Sequence, residues 1–411
     1  MPEPNVSAQL KTCLQPRLPH YLDLLEQMVA VNSFTENPAG VNAVGQLTAA
    51  AFAELGFAAE TVQAENPAFG EHLILTRPGR TGRKIGCVSH LDTVFPPEEE
   101  AAHNFTWRPE RDRIYGPGTV DIKGGTVVML MTLEALRKVD PQRFDDITWV
   151  LLLNAAEERL SNDFGALCLQ HLAGDTAACL VFEGGNLEGN TFSLAVTRKG
   201  KADYVVRTYG RGAHAGNSHH QGANAVVQMA DVIQRIAALT DYRRRLTFNV
   251  GTVQGGTVTN RVPHYAEAHV EMRAFDDVVF EEGVAAMLVL GGQSTVASVD
   301  GGHSCRVKVE LVSRTSPWPQ NPATDRLYRL WQEAARELGM ETVREHRGGL
   351  SDGNHLWRTI PTLDALGPSG GNAHCSERSP DGNKDQEFVT VSSFVPKATL
   401  NALAVLKLID S

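Results

Sequence analysis

Four apolar runs of strand length constrain this chain most: His72–Thr76, Ile85–Val88, Ile147–Leu153 and Ala178–Phe182. Helical spacing precedes them. Tyr21, Leu24, Leu25 and Met28 recur a turn apart, as do Val44, Leu47, Ala51 and Leu55, and Gly56 stands where a helix stops. Another helix-like stretch, Thr126–Leu136, separates the second run from the third. Such alternation buries its apolar surface as an α/β sheet, largely parallel, with helices on both faces. Reactive groups in these sheets gather beyond the carboxyl ends of the strands.

The middle of the chain has another rhythm. Ala202–Tyr209 reads as a strand, Ala223–Ala238 as a helix, and Leu246–Val253 and Ala266–Ala274 as two strands. Phe280–Leu290 reads as a helix and Val307–Val312 as a strand. This β-α-β-β-α-β order is that of a ferredoxin-like α+β unit. The expected organisation is therefore residues 1–196, an inserted domain at 197–312, and a return to the first domain at 313–411. The return holds a helix at Asp325–Leu338, a strand at Pro361–Ala365 and a closing helix near Pro396–Leu408. Glu98–Glu100 reads as a charged, solvated loop.

Composition narrows the function classes. With 38 Lys and Arg against 48 Asp and Glu, the net charge of −10 argues against a nucleic-acid partner, which needs an electropositive face. No apolar run approaches the ~18 residues of a membrane span, so no membrane partner is expected. Met1 to Leu18 lacks the basic, apolar and small-residue pattern of a secretory leader, and a cytoplasmic location is expected. The six cysteines are scattered without a CxxC pair, so a metal here must be held by His and carboxylates.

Several motifs carry the chemistry. Ser89-His90-Leu91-Asp92-Thr93-Val94 follows the strand Ile85–Val88, so His90 and Asp92 can project into one pocket. Alone, the pair fits a hydrogen-bonded surface pair as well as a ligand and its partner. Asp121 lies among glycines in Tyr115–Gly125, which also fits an ordinary Asx turn; the spacing of a phosphate loop is absent. Glu157 and Glu158 end the most apolar strand. Adjacent carboxylates there repel unless a cation or proton sits between them, or unless they are simply solvated. Glu183 repeats the device before Gly184 and Gly185, and His374 lies in a Gly-rich loop. Imidazole and carboxylate without thiolate suit zinc, and also cobalt or manganese. A shared aspartate could bridge two ions ~3.5–4 Å apart.

Taken in order, SHLDTV, YGPGTVDIKGG, EE, FEGG and the late His resemble the dizinc aminoacylase/carboxypeptidase family. That family includes glutamate carboxypeptidase, acetylornithine deacetylase and succinyl-diaminopimelate desuccinylase, and the chain looks closest to its glutamate carboxypeptidase-like members. The resemblance runs from about Pro19 to Ile409. It implies a zinc-peptidase-like mixed sheet with an inserted lid that dimerises, and two zinc ions per subunit. His90 would bind one zinc and Asp92 would orient it. Asp121 would bridge both ions and be followed by a cis peptide to Ile122. Glu157 would be the general base. Glu158 and His374 would hold one ion, and Glu183 the other with His90. In the insert, His214 of Gly212–Gly216 would reach the partner subunit's site and polarise the substrate carbonyl. Asn260, Arg273 and Arg314 would contact substrate, the two arginines through its carboxylate. Gly349 and Ser351 belong to a stretch resembling the substrate loop. The resemblance thus implies a hydrolase of amide or peptide bonds beside a free carboxylate, releasing a C-terminal residue such as glutamate. An N-acyl-amino-acid deacylase, a di- or tripeptidase, and a non-catalytic metal-dependent binding protein are the rivals. Two segments depart from the family pattern: Pro97–Asn104, longer and more acidic than usual, and Glu377–Asp385 with the preceding Cys375.

Overall fold

The computed structural model describes residues 6–159 and 161–411. Its sheets and helices divide between two units, one formed by Met1–Val196, Gln320–His346 and Ser351–Ser411, the other by Thr197–Pro319 and Arg347–Leu350.

In the first unit a six-stranded sheet runs in the order Ala58–Gln63, Glu71–Arg77, Thr148–Asn154, Lys84–His90, Thr176–Val181, Thr362–Leu363. Pairing is parallel from Thr148–Asn154 onward and antiparallel for the two strands at the other edge, which makes the sheet mixed. Thr148–Asn154 shows why the centre is buried on both sides. Trp149, Leu151 and Leu153 pack into one apolar cluster, and the alternate Val150 and Leu152 into another. Helices Gly124–Val139 and Phe394–Ile409 supply the first cluster, and Phe164 and Cys168 of helix Asn162–His171 the second. Side chains alternate across a strand, so a continuous apolar run needs two covered faces. Helix starts follow local chemistry. Asn37 accepts from Gly40 N ahead of Pro38–Ala53, and Asn321 from Thr324 N ahead of Pro322–Glu337.

Three differences from the sequence reading bear on the site. The Glu98–Glu100 run is not a loop but part of a short helix, Pro97–Ala102, which a proline opens. The expected strand Pro361–Ala365 shortens to Thr362–Leu363. A small antiparallel sheet, in the order Gly370–Gly371, Phe388–Thr390, Arg113–Tyr115, Arg108–Glu110, has no periodic signature because its strands are two or three residues long. In it, Phe388–Thr390 pairs on one side with the strand leading to His374 and on the other with the strand leading to Asp121.

In the second unit the strand order is Thr247–Gly255, Tyr265–Ala274, Gly200–Tyr209, Arg306–Thr315, all antiparallel. Helices Ala225–Ala238 and Asp277–Val289 cover one face, where Met229, Ile236, Phe280 and Met287 pack on Ala268, Val270 and Met272. Asn224 and Asp276 cap these helices. This is the ferredoxin-like arrangement. The last strand runs past residue 312 because its register with Gly200–Tyr209 continues to Lys201↔Thr315. Among the described residues no helix is long and apolar enough to cross a membrane.

Candidate metal centre

Strand ends of the first unit deliver the site. His90 closes strand Lys84–His90 on the same rung as Asn154, and Glu157 and Glu158 follow in the next turn. His90 is buried, with Nδ1 3.0 Å from the carbonyl of Asp92 and 3.3 Å from its Oδ1. With Nδ1 donating, Nε2 is turned toward Asp121 Oδ1 at 3.2 Å and Glu183 Oε1 at 3.9 Å. The other oxygen of Asp121 lies 3.2 Å from His374 Nε2, and Glu158 Oε2 lies 3.3 Å from that same nitrogen. Asp121 therefore stands between the two imidazoles. The Asp121–Ile122 peptide is cis.

Asp92 does more than face His90. Its Oδ1 accepts from Glu157 N at 3.1 Å, and its Oδ2 accepts from Glu158 N at 3.3 Å and Thr35 Oγ1 at 2.7 Å. One buried carboxylate thus orients an imidazole and holds the turn that carries both glutamates. Behind that turn, Asn154 Nδ2 donates to Asp352 Oδ1 at 2.8 Å, and His72 Nδ1 accepts from Ala155 N at 3.1 Å.

The electrostatics follow from crowding. Burial raises the Glu157 carboxyl well above its ordinary range, and the charges of Glu158, Glu183 and Asp352 add to this against His90. Burial and the Asp121 charge raise Glu158 as well. Burial works against a charged Asp121, but hydrogen bonds from His374 and His90 override it and hold the group low. Burial opposes a charge on His90 too, yet Asp121 and Asp92 push it up. Asp121 and Glu158 push His374 up to about 11.

Three clusters share these atoms: His90, Asp121 and Glu183; His90, Glu157 and Glu158; and Asp121, Glu158 and His374. Within each, the ligand atoms lie within 4.8 Å of one another. Four carboxylates crowd two imidazoles, and like charges held this close favour a bound cation or retained protons. Hard oxygens with imidazole nitrogens, and no thiolate in any cluster, form a donor set that fits divalent ions. Two such ions could share Asp121.

The expected substrate contacts divide. In the second unit the loops of His214 and Asn260 lie together: Ala215 N donates to Asn260 O at 2.9 Å, and His214 pairs with Arg261. His214 Nδ1 accepts from Gly216 N and Asn217 N at 3.1 and 3.0 Å, which places the ring proton on Nε2. Arg273 and Arg314, each expected at a position that can hold a substrate carboxylate, lie on opposite faces of the sheet. Arg314 sits on the helix face with Glu281 and over the Phe280 ring. Arg273 sits on the open face, bound to Glu271 and donating to Gly348 O at 2.8 Å. Register explains the split. Arg314 pairs with Ala202, whose side chain points into the helix-covered core, whereas Arg273 pairs with Lys201, one residue on. Gly349 is held through its carbonyl by Arg198 Nη1 at 3.2 Å. Ser351 is buried, donates to Asp364 Oδ2 at 2.8 Å and accepts from Gly353 N, so its hydroxyl shapes the loop.

Two carboxylates escaped the sequence reading. Asp352 is raised to about 7 by burial, and Glu387 to about 8 by burial and the Asp121 charge. Asp352 directly follows Ser351 in the stretch that resembles the substrate loop; nothing local distinguishes Glu387.

The chain is 28% identical over 411 residues to carboxypeptidase G2 of Pseudomonas sp. (strain RS-16), covering 98% of this chain and 92% of that protein. It is 25% identical to acetylornithine deacetylase of Proteus mirabilis (strain HI4320), over 76% of this chain and 80% of that one. A dinuclear metal-binding M20 peptidase from Bacillus subtilis superposes with a TM-score of 0.65 at 15% identity, over 96% of this chain and 99% of that one. The model of Peptidase family M20/M25/M40 matches residues 86–390, which takes in every member of the three clusters and the whole second strand order described above. The chain belongs to that family, whose members are metal-dependent hydrolases of peptide or amide bonds.

Proposed function

We propose that the protein is a zinc hydrolase that cleaves an amide or peptide bond beside a free carboxylate, in the manner of a carboxypeptidase, and can release a C-terminal residue such as glutamate. The observation that carries this reading is Asp121 standing between His90 and His374, with Glu157 and Glu158 on the adjoining turn. Likeness to carboxypeptidase G2 along nearly the full chain supports the substrate class. In this reading His90, Asp121 and Glu183 hold one ion, and Asp121, Glu158 and His374 the other; cobalt or manganese could replace zinc in such a donor set.

When bound, the ions supply a water of lowered pKa and a Lewis acid for the carbonyl. The chain supplies the rest. Glu157, whose carboxyl is tuned upward by burial, takes a proton from the attacking water and returns it to the leaving amine. Asp92 keeps Glu157 in place through its backbone N–H. His214, with its proton on Nε2, is shaped to donate to the developing oxyanion. We further propose that the second unit pairs two copies of the chain, so that His214 serves the partner's site. The open edge of strand Thr247–Gly255 and the exposed Val226, Val227 and Val253 support such a contact.

A deacylase of N-acyl amino acids is the second reading, supported by the acetylornithine deacetylase relative. A panel of peptidyl and N-acyl amino acids, each with its carboxylate free or amidated, tests the proposal. Free-carboxylate substrates should be cleaved, chelation should abolish cleavage, and zinc should restore it. Equal cleavage of the amidated forms, or full activity after prolonged chelation, would overturn it. The group released from the best substrate separates carboxypeptidase from deacylase.

A further inference from the structure

His374 is the exposed member of the three clusters, and its backbone lies at φ 65°, a region non-glycine residues rarely adopt. A side chain so placed keeps its position only where its surroundings over-determine the loop. The first departing segment, Pro97–Asn104, meets the flanks of the second, Glu377–Asp385, here. Ser376 Oγ donates to the Glu99 carboxylate and accepts from His103 Nδ1 at 2.8 Å. Gln386 Nε2 donates to His103 O at 3.1 Å and to Ser376 O at 2.8 Å, while its Oε1 accepts from Arg108 at 2.8 Å. Ser376 and Gln386 are buried, at 3% and 1% exposure, although both belong to a surface excursion.

The excursion is also closed at its neck. Glu387 N donates to Cys375 O at 2.8 Å, and Glu387 Oε1 accepts from Val120 N at 2.9 Å and Asp121 N at 3.1 Å. One end of the neck therefore carries His374, and the other holds the backbone of Asp121. Farther out, Arg378 binds Glu110, and Asp381 binds Ser379 and Asn383.

We propose that Ser376 and Gln386 are positioning residues: seated against Glu99 and His103, they hold His374 where it meets Asp121 and Glu158. The proposal rests on the metal-centre reading. It makes the acidic helix Pro97–Ala102 a buttress for a ligand loop, reaching the ions through His374 without touching them.

Calorimetric titration of the ion-free protein with Co²⁺ tests this, alongside Ser376→Ala, Gln386→Ala and Asp381→Ala and with the thermal unfolding of each ion-free form. Wild type should take up two ions. Each neck variant should weaken one binding step by roughly 10–100-fold, leave the other unchanged, and alter the visible Co²⁺ spectrum of the weakened step. Asp381→Ala, out at the tip, should leave both steps intact. Neck variants that fold and bind both ions as wild type does would overturn the proposal alone. So would loss of both steps together with the fold in both neck variants, or an equal effect of Asp381→Ala. A wild type that binds no ion removes the metal-centre reading and this one with it.

Discussion

On the open face of the second unit's sheet, Arg207 donates to Glu267 at 2.7 Å and to Glu310 at 2.9 Å, and Arg273 clasps Glu271, which also lies 3.6 Å from Lys201. Beyond the strand ends of the first unit, Asp121, Glu157, Glu158 and Glu183 gather around His90 and His374. The first set of charges is arranged in opposite-sign pairs; the second crowds like charges together. Paired surface charges contribute little to stability and need nothing from outside. Like charges brought together out of water cost stability, and the cost is met by what they bind.

The contrast can be broken at several points. Glu157→Gln should retain zinc and lose turnover by about 10²-fold or more, read as kcat against zinc content by atomic absorption. An undiminished kcat would remove Glu157 as the base. The second unit should matter through His214. His214→Ala and Glu157→Gln, each nearly inactive, should recover part of the activity when their subunits are mixed and exchanged. Verified mixed dimers without recovery would confine His214 to its own subunit.

A third test uses pH. The raised carboxyls of Glu157, Glu158, Asp352 and Glu387 keep their protons in the folded state at a pH where the unfolded chain has released them. Raising the pH above the ordinary carboxylate range therefore costs the fold. The raised His90 and His374 act in the same direction: their stabilisation is complete below about pH 6.5 and is lost as pH climbs toward their folded values. The ion-free protein should thus lose stability from about pH 5 to pH 9, and Glu157→Gln should flatten the slope. Zinc should counter the fall, because ligand protons compete with it less as pH rises. Urea unfolding across that range checks both, and a flat ion-free profile would contradict the crowding. The smallest effect belongs to the paired face: Glu271→Gln should cost about 0.2–1 kcal/mol in the same assay.

Much of this arrangement is legible in the sequence. Apolar runs ending in His90, Glu157 and Glu183 announced strands whose ends share one rim, and motif order pointed to Asp121 and His374. The helix Pro97–Ala102 was not legible. Six residues holding three consecutive glutamates have the pattern of a solvated turn, and the partner that orders Glu99 lies 277 residues away at Ser376. Glu387 was hidden for the same reason, since its partners Val120 and Asp121 are remote in sequence. For the two arginines, residue type announces a guanidinium but not its side of the sheet. Only the pairing of Lys201 with Arg273 and of Ala202 with Arg314 assigns the faces.

His90 and Asn154 occupy one rung of a parallel ladder. Neighbouring strands in such a ladder stand about 4.8 Å apart, a pitch set by main-chain hydrogen bonding and untouched by side-chain substitution. Donors hung from adjacent rung ends inherit that grid. Peripheral loops that carry no donor and brace none can then lengthen or shorten while the spacing of the donors stays the same. Chimeras that swap only such loops, leaving the contacts of Ser376 and Gln386 in place, should consequently change what is cut long before they change how the cut is made.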